Sequence, residues 1–278
     1  MVFAALGYSG WNLYSFYANT REAPDWNFSH LPSVKTAKQE VNTSGLLRGR
    51  VEKLDSSWLT RAGTIDKTNV QREANSLPPL KENLLLDQAA QKKIQDMFAK
   101  QYFEHISPQG TGPAELAKAV NYEYVAIGEN LALGNYKNDQ ELVTAWMNSE
   151  GHRANILNSK YQEIGVAVGK GTFEGHETWL AVQEFGKPAS ACPVVDQGLK
   201  DQVQSVRAEV AAMEQQINAS KAELANQPDP KDKAAVEAYN QKVAEYNALV
   251  ASYNNKVDVL KSLTARYNQQ VNAYNACL

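Results

Sequence analysis

The segment 146–157, WMNSEGHRANIL, decides the fold, because it joins the end of an inward-facing helix directly to a histidine. Asn138 and Asp139 are residue types that cap helix N-termini, so we predict that a helix begins there. Its apolar residues recur at helical spacing and predict one buried face: Leu142, Val143, Trp146 and Met147. Gly151 then ends the helix, which predicts that His152 lies where the chain leaves the buried core.

The sequence on either side of this segment predicts one mixed domain over residues 64–188. An apolar stripe at helical spacing predicts a core-facing helix near residues 86–102. Apolar residues alternate in YQEIGVAVGKG from Tyr161 and in ETWLAVQEFG from Glu177, which predicts two strands after the histidine. Short helices interleaved with strands and glycine turns are typical of the α+β class.

Several short motifs occur in a fixed order within this domain: NVQREANSLPPL at 69–80, HISPQG at 105–110, GENLA at 128–132, WMNSEGHRANIL at 146–157, YQEIGVAV at 161–168 and WLAVQEFG at 179–186. Each motif alone carries little information. The ordered set resembles the bacterial, SCP-like branch of the CAP superfamily, which includes cysteine-rich secretory proteins, antigen 5 and plant pathogenesis-related proteins. The resemblance implies a CAP-type α-β-α sandwich with a surface cleft.

The resemblance also implies which residues lie in that cleft. His105, Glu129 and His152 match the positions from which the family projects histidines and acids, and the neighbouring Asn130 and Glu150 are assigned to the same cleft. Imidazole and carboxylate groups suit zinc or another divalent metal, or proton transfer near neutral pH. Many members carry a second acid where this chain has Ser149. Glu150 is no automatic substitute, since one helical step rotates a side chain by about 100°.

Three functions follow as hypotheses from this cleft and from the rest of the chain. The leading one is an exported protein whose cleft binds a ligand or divalent metal. The first alternative is a hydrolase acting on peptides or the cell wall, with Glu129 or a histidine activating water. The second is an adhesion or scaffold protein that acts through its C-terminal helices. A purely structural role for the same histidines and Glu129, as hydrogen-bonding groups between loops, is the plain alternative to all three.

Residues 192–278 carry the strongest periodic signal. Apolar and tyrosine residues alternate steps of three and four from Val236 to Tyr274, and Leu199 to Leu224 keep a similar spacing. This heptad pattern predicts two helices, at about 196–226 and 231–276, that form an antiparallel coiled-coil hairpin. The QPDP stretch at 227–230 separates them, because proline interrupts a helix. A spacer, a partner-docking element and self-association are all compatible with this seam.

Cys192 and Cys277, the two cysteines of the chain, bracket this hairpin. An antiparallel pair brings its outer ends together, so a disulfide between them is feasible. The predicted second helix is about 23 Å longer than the first, at 1.5 Å per residue, so part of the chain must compensate. Two unrelated thiols are the alternative. A disulfide would favour an extracytoplasmic location, either secreted, at the cell surface or membrane-anchored.

The N-terminal region and the overall charge limit the partners. Residues 1–20 lack charge and end in aromatic residues, which favours either a membrane anchor or an N-terminal arm on the domain. Residues 21–63 show no persistent period and are predicted to be a linker. The net charge of -3 provides no attraction to nucleic acid. The expected partner is therefore a protein, a cell-wall component or a lipid.

Overall fold

The computed structural model describes residues 31–36, 39–50, 56–229 and 231–278. The chain divides into two compact units. One comprises Thr36–Cys192 with the last two residues, and the other comprises Pro193–Ala276 with residues 31–35. The predicted N-terminal anchor or arm, residues 1–20, lies outside the described residues. Among the helices that are described, none has the length and apolar character needed to cross a membrane.

The first unit is built on a five-stranded mixed sheet, whose strands in chain order are β1 (Glu40–Arg48), β2 (Lys81–Glu82), β3 (Tyr124–Gly134), β4 (Glu163–Phe173) and β5 (His176–Pro188). Their order across the sheet is β1-β3-β5-β4-β2. β5 pairs antiparallel with both β3 and β4, whereas the edge strands β1 and β2 pair parallel with β3 and β4. The antiparallel centre confirms the two strands predicted after the histidine.

Helices cover both faces of this sheet: α1 (Arg61–Ala74), α2 (Leu84–Lys100), α3 (Pro113–Ala119), α4 (Asp139–Asn148) and α5 (Glu150–Ile156). α2 and α3 pack on one face, and α1, α4 and α5 pack on the other. Asn138 caps α4 by accepting a hydrogen bond from the Glu141 amide, as predicted. The α-β-α sandwich expected from the sequence is confirmed. The predicted helix end at Gly151 is wrong, because α4 stops at Asn148 and Gly151 lies within α5.

β3 lies between β1 and β5 in the sheet, and all of its residues are buried. Successive side chains point to opposite faces of the sheet. Leu131 and Leu133 therefore join the apolar cluster of α2, whereas Ala132 joins the cluster beneath α4. The GEN motif at 128–130 lies in the middle of this strand, so its three residues are distributed between the two faces.

The loop that carries His105 begins where α2 ends. Gln101 has a left-handed backbone with φ of 54°, and this conformation terminates the helix. The hydroxyl of Ser107 then accepts hydrogen bonds from the amides of Gln109 and Thr111. These bonds hold the loop in a compact turn and position His105 over the sheet.

The interpretation of residues 21–63 as a linker is wrong for much of their length. Residues 40–48 form β1, which is hydrogen-bonded to β3. α1 begins at Arg61, before the predicted boundary at residue 64. Near residue 35, the Lys35 amide donates to Oδ1 of Asn275, at the end of the long C-terminal helix. These contacts could not be predicted from the mixed composition, because they use mostly backbone groups.

The second unit is an antiparallel helical hairpin of α6 (Gln197–Glu223) and α7 (Lys233–Cys277). The Tyr239 hydroxyl donates to the Leu224 carbonyl, and the Asp196 amide donates to Oε1 of Gln270. The first contact joins the start of α7 to the end of α6, and the second joins the start of α6 to the end of α7, so the two helices are antiparallel. An ion pair between Lys256 and Glu209 lies between these two contacts. α7 is longer than α6, and the segments before Gln197 and after Glu223 extend along the additional length of α7.

The predicted seam forms the interior of the hairpin. Most of its positions are buried on α7: Val236, Val243, Tyr246, Val250, Tyr253, Val257, Leu260, Thr264, Tyr267 and Val271. Tyr239 and Tyr274 are only partly buried. Cys192 and Cys277 form a disulfide with a Cα–Cα distance of 5.6 Å, which confirms the predicted pair.

We expect the double variant Cys192→Ser with Cys277→Ser to unfold more easily than the wild type. The bond closes a loop of 85 residues in sequence, and its loss restores roughly 4 kcal/mol of chain entropy to the unfolded state. Urea denaturation followed by circular dichroism measures the change. The wild type in reducing agent should match the double variant, and equal stability of the oxidised wild type and the variant would contradict the prediction.

Candidate functional site

The predicted cleft residues His105 and Glu129 are in direct contact. Nδ1 of His105 lies 2.6 Å from Oε1 of Glu129, and Nε2 lies 2.7 Å from the carbonyl oxygen of Ser44 in β1. A carbonyl only accepts, so Nε2 carries a proton and donates it to Ser44. Nδ1 forms the second hydrogen bond of the ring, with Oε1 of Glu129. Both ring nitrogens of His105 are therefore engaged.

Lys93 supports this pair from α2. Its Nζ donates to the His105 carbonyl oxygen at 2.6 Å, and it lies 5.2 Å from the ring centre of Tyr102. The side chain is buried, and burial lowers the pKa of Lys93, although Glu129 and Glu184 oppose that shift. The ammonium group thus places positive charge beside the carboxylates and fixes the backbone of the histidine loop.

Glu184 is a functional-site residue that the sequence did not reveal. It lies directly opposite Glu129 in the pairing of β3 with β5, and both side chains are buried. Burial raises the pKa of Glu184 well above its ordinary value, and the facing Glu129 raises it further. This shift favours the protonated, neutral form of Glu184 beside Glu129.

His152 has a different partner from the one the family pattern suggests. Its Nδ1 lies 2.8 Å from the hydroxyl of Ser149, the residue at the position where an acid was expected. Burial lowers the pKa of His152, and the nearby His105 lowers it further, while the backbone of Leu131 and Gly45 opposes the shift. With a hydroxyl instead of a carboxylate beside it, His152 is held as a neutral imidazole.

Asn130 does not lie in the cleft, which corrects its assignment. It is fully buried on the face opposite Glu129, where its Nδ2 donates to the His152 carbonyl and to Oε1 of Gln183. Nδ2 of Asn155 donates back to its Oδ1. These bonds tie α5 to the sheet, so Asn130 positions the segment that bears His152.

Glu150 also falls outside the arrangement. It is the first residue of α5 and is exposed to solvent. No hydrogen bond or ion pair joins it to the cleft histidines within the part of the chain that the structure describes. Like Asn130, Glu150 is close to the site in sequence but does not line it.

The arrangement does not fit the expected zinc or other divalent ion. Across residues 31–278, apart from the undescribed positions, no group of three or more His, Cys, Asp or Glu side chains is arranged to hold a metal. His105 has no lone pair directed at a shared point, because Glu129 and Ser44 occupy its two nitrogens. His152 directs Nδ1 at Ser149, and its buried Nε2 has no hydrogen-bond partner among the described residues. The predicted ligands His105, Glu129 and His152 therefore form two separate contacts.

A bulge in β1 brings these two contacts together at the edge of the sheet. The register of β1 with β3 shifts between Thr43 and Leu46, so Ser44 and Gly45 both lie opposite one stretch of β3. Ser44 accepts from His105, while a Cβ atom placed on Gly151, the neighbour of His152, would be 3.5 Å from the Gly45 amide. Both histidine-bearing segments thus contact the bulge.

The two missed residues had weak signals in the sequence. Lys93 falls within the apolar stripe of α2, between Ala90 and Met97, and a charged residue at such a position suggests a buried partner. Glu184 interrupts the apolar face of β5 that Leu180 and Val182 occupy. Neither signal identifies the partner, since that depends on strand register.

Residues 65–185 match the family model described as "CAP: Cysteine-rich secretory protein family". The chain is 42% identical over 164 residues to the uncharacterized protein YkwD of Bacillus subtilis, covering 55% of this chain and 61% of YkwD. It is 34% identical over 104 residues to the uncharacterized membrane protein YlbC of the same organism, covering 37% of this chain and 30% of YlbC. The chain thus spans less than two thirds of either relative.

Solved structures similar to this chain include an extracellular protein containing an SCP domain from Bacillus anthracis. That protein is 27% identical, with a TM-score of 0.39, and the match covers 46% of this chain and 40% of the other. A cysteine-rich secretory protein from Staphylococcus aureus is 24% identical, with a TM-score of 0.35 and coverage of 45% and 38%.

We expect Glu184→Gln to stabilise the domain increasingly as pH rises from 4 to 8. The raised pKa of Glu184 means that the folded state holds a proton that the unfolded state releases, so wild-type stability falls through this range. Glutamine keeps a donor to Glu129 without this cost. A melting temperature at least about 2 °C above wild type at pH 8, and near wild type at pH 4, is the expected result.

Glu73→Gln is the matched control, because Glu73 is an exposed carboxylate of the same domain. Its melting temperature should follow that of the wild type at every pH. A Glu184→Gln effect that is the same at pH 4 and pH 8 would show that Glu184 is ionised in the folded state.

Replacing Ser149 with aspartate should raise the pKa of His152. A carboxylate 2.8 Å from Nδ1 would favour the imidazolium form, which the hydroxyl does not. Titration of the His152 ring by NMR measures the midpoint. Ser149→Asn has the same shape without the charge and should leave the midpoint near wild type, so an equal shift in both variants would exclude the electrostatic cause.

Proposed function

We propose that the chain, whose residues 65–185 match the CAP family model, is a bacterial CAP-domain protein that binds a ligand outside the cytoplasm. The proposed binding site is the cleft at His105 and Glu129. The observation that carries this proposal is the hydrogen bond from Nε2 of His105 to the Ser44 carbonyl. The imidazole acts there as a donor to a polypeptide backbone, which is a binding role.

The electrostatics around Glu129 support binding over water activation. Its Oε1 is held by His105, and its Oε2, which has no hydrogen-bond partner among the described residues, is fully buried near Glu184 and away from solvent. A general base needs a free lone pair within reach of the proton that it removes. The cleft instead presents donors that are fixed in place, and this suits recognition of a carbonyl or carboxylate group on a ligand.

The disulfide supports a location outside the cytoplasm, because such bonds persist in oxidising compartments. In that setting the hairpin of α6 and α7 serves as a spacer or partner-docking element. The ligand expected for the cleft is a protein, cell-wall or lipid component.

A hydrolase is the second candidate, and one contact favours it. A buried carboxylate 2.6 Å from an imidazole is the arrangement by which many hydrolases orient a catalytic histidine. In this candidate, a substrate would replace Ser44 at Nε2, and His105 would then exchange protons with it. The substrate would be a peptide or the cell wall.

The two candidates make different predictions for protein incubated with a peptide library and with purified peptidoglycan. For a binding protein, we expect retention on one of these materials that falls about tenfold in His105→Ala, with no cleavage products by mass spectrometry. Glu150→Gln, at an exposed position, is the control and should be retained like wild type. Cleavage products that disappear in Glu129→Gln would establish the hydrolase instead.

Retention that survives His105→Ala but is lost on deletion of residues 192–278 would move the function to the helical hairpin. Purified deletion protein must then show the circular dichroism of a folded domain for the comparison to hold.

A further inference from the structure

β1 is less buried than the other long strands of the sheet. None of its residues is fully buried, whereas every residue of β3 is. It precedes the residues that match the CAP family model, which begin at residue 65. β1 therefore adds a surface strand to the edge of a domain whose core lies elsewhere.

The attachment of β1 uses mainly its backbone. Glu40–Thr43 pair in parallel register with residues 126–129 of β3, and Leu46–Arg48 pair with residues 131–133. Main-chain pairing at a sheet edge is available to many extended sequences, and this is how several domain families bind peptides. The edge of β3 is thus able to bind a strand of a different sequence.

The cleft recognises this strand as it would recognise a ligand. His105 donates to the Ser44 carbonyl at 2.7 Å, and the Ser44 hydroxyl donates to the Glu129 carbonyl at 3.3 Å. Gly151, next to His152, also lies beside the bulge, since a Cβ atom placed on it would be in van der Waals contact with Ser44 and Gly45. His105 therefore hydrogen-bonds to the backbone of an extended segment, and the residue next to His152 lies beside that segment.

Side-chain contacts define which segments fit. Lys160 binds Glu40 at 2.6 Å, and the Tyr161 hydroxyl accepts from Asn42 at 3.1 Å. Leu46 and Leu47 pack on opposite faces of the sheet, one against each apolar cluster. Arg48 lies 5.3 Å above the ring of Phe103. A matching segment has an acid, a polar residue, a small bulge pair, two apolar residues and a base, in that order.

We propose that the edge of β3 beside His105 is a binding site for an extended peptide segment of another protein, which adds to the sheet as a parallel strand, and that β1 is its intramolecular occupant. This inference rests on the proposed function and names its ligand class. A ligand peptide must displace β1, which is tethered and competes at an effective concentration in the millimolar range. Binding in trans is therefore weak until β1 is released.

The test uses full-length protein and a fluorescent peptide with the sequence EVNTSGLLRG, residues 40–49. Leu46→Asp with Leu47→Asp is the released variant, because two carboxylates placed against the apolar clusters oppose the backbone pairing of β1 with β3. We expect the peptide to bind this variant at least about tenfold more tightly than it binds wild type, as measured by fluorescence anisotropy. Adding His105→Ala to the released variant should weaken binding by about tenfold.

Two controls distinguish strand addition from nonspecific binding of the peptide. Val41→Asp changes an exposed side chain of β1, so this variant should bind the peptide as weakly as wild type does. A peptide carrying the same two leucine-to-aspartate changes should not bind the released variant. Equal binding of both peptides, or equal binding by wild type and the released variant, would overturn the proposal.

Hydrogen exchange of the wild type provides a second measurement if the released variant does not fold. Amides of residues 40–48 should exchange through local opening, at least about tenfold faster than amides of β4 and β5. Exchange of β1 only through global unfolding would mean that the site never opens, and this would also overturn the proposal.

These outcomes are distinguishable from failure of the proposed function. If the peptide fails to bind a folded, released variant while peptidoglycan retention still depends on His105, the cleft binds a ligand of another class. If retention is independent of His105 and the peptide also fails, the proposed function fails as well.

Discussion

Glu129 is a carboxylate in the middle of a fully buried strand, and such a group must be compensated by its surroundings. Its compensation comes from three elements that are distant in sequence. The loop after α2 supplies His105, α2 supplies Lys93, and β5 supplies Glu184 as a neutral acid. Because each partner has to reach one carboxylate, the placement of α2, its following loop and the register of β5 are linked to one another.

The neighbouring residue on β3 organises the other face of the sheet. Asn130 points away from Glu129 and joins α5 to the strand, so His152 belongs to a network separate from that of His105. The family motif thus divides into two hydrogen-bonded groups on opposite sides of one strand. They are joined where Asn155 donates to the Glu129 carbonyl, and the bulge of β1 contacts both histidine-bearing segments at the sheet edge. This arrangement is the basis for the proposal that the cleft binds a polypeptide backbone.

The hairpin depends on different physics. A repeating apolar and tyrosine seam buries one side of α7 against α6, and the disulfide closes the end opposite the turn. Its contacts repeat along the two helices and follow from the heptad pattern of the sequence. The first domain, by contrast, depends on a few buried polar groups whose partners come from separate parts of the chain.

The sequence by itself determined the α-β-α sandwich, the antiparallel hairpin, the cysteine pair and the proximity of His105 to Glu129. Periodic patterns specify local structure, and the ordered motifs predicted the resemblance to the CAP family, whose model matches residues 65–185. Only the tertiary structure decided that Glu184 faces Glu129, that Ser149 holds His152 and that Asn130 is buried, because strand register and helix placement set these contacts. The tertiary structure also revealed β1, since parallel edge pairing uses backbone hydrogen bonds that leave little trace in side-chain composition.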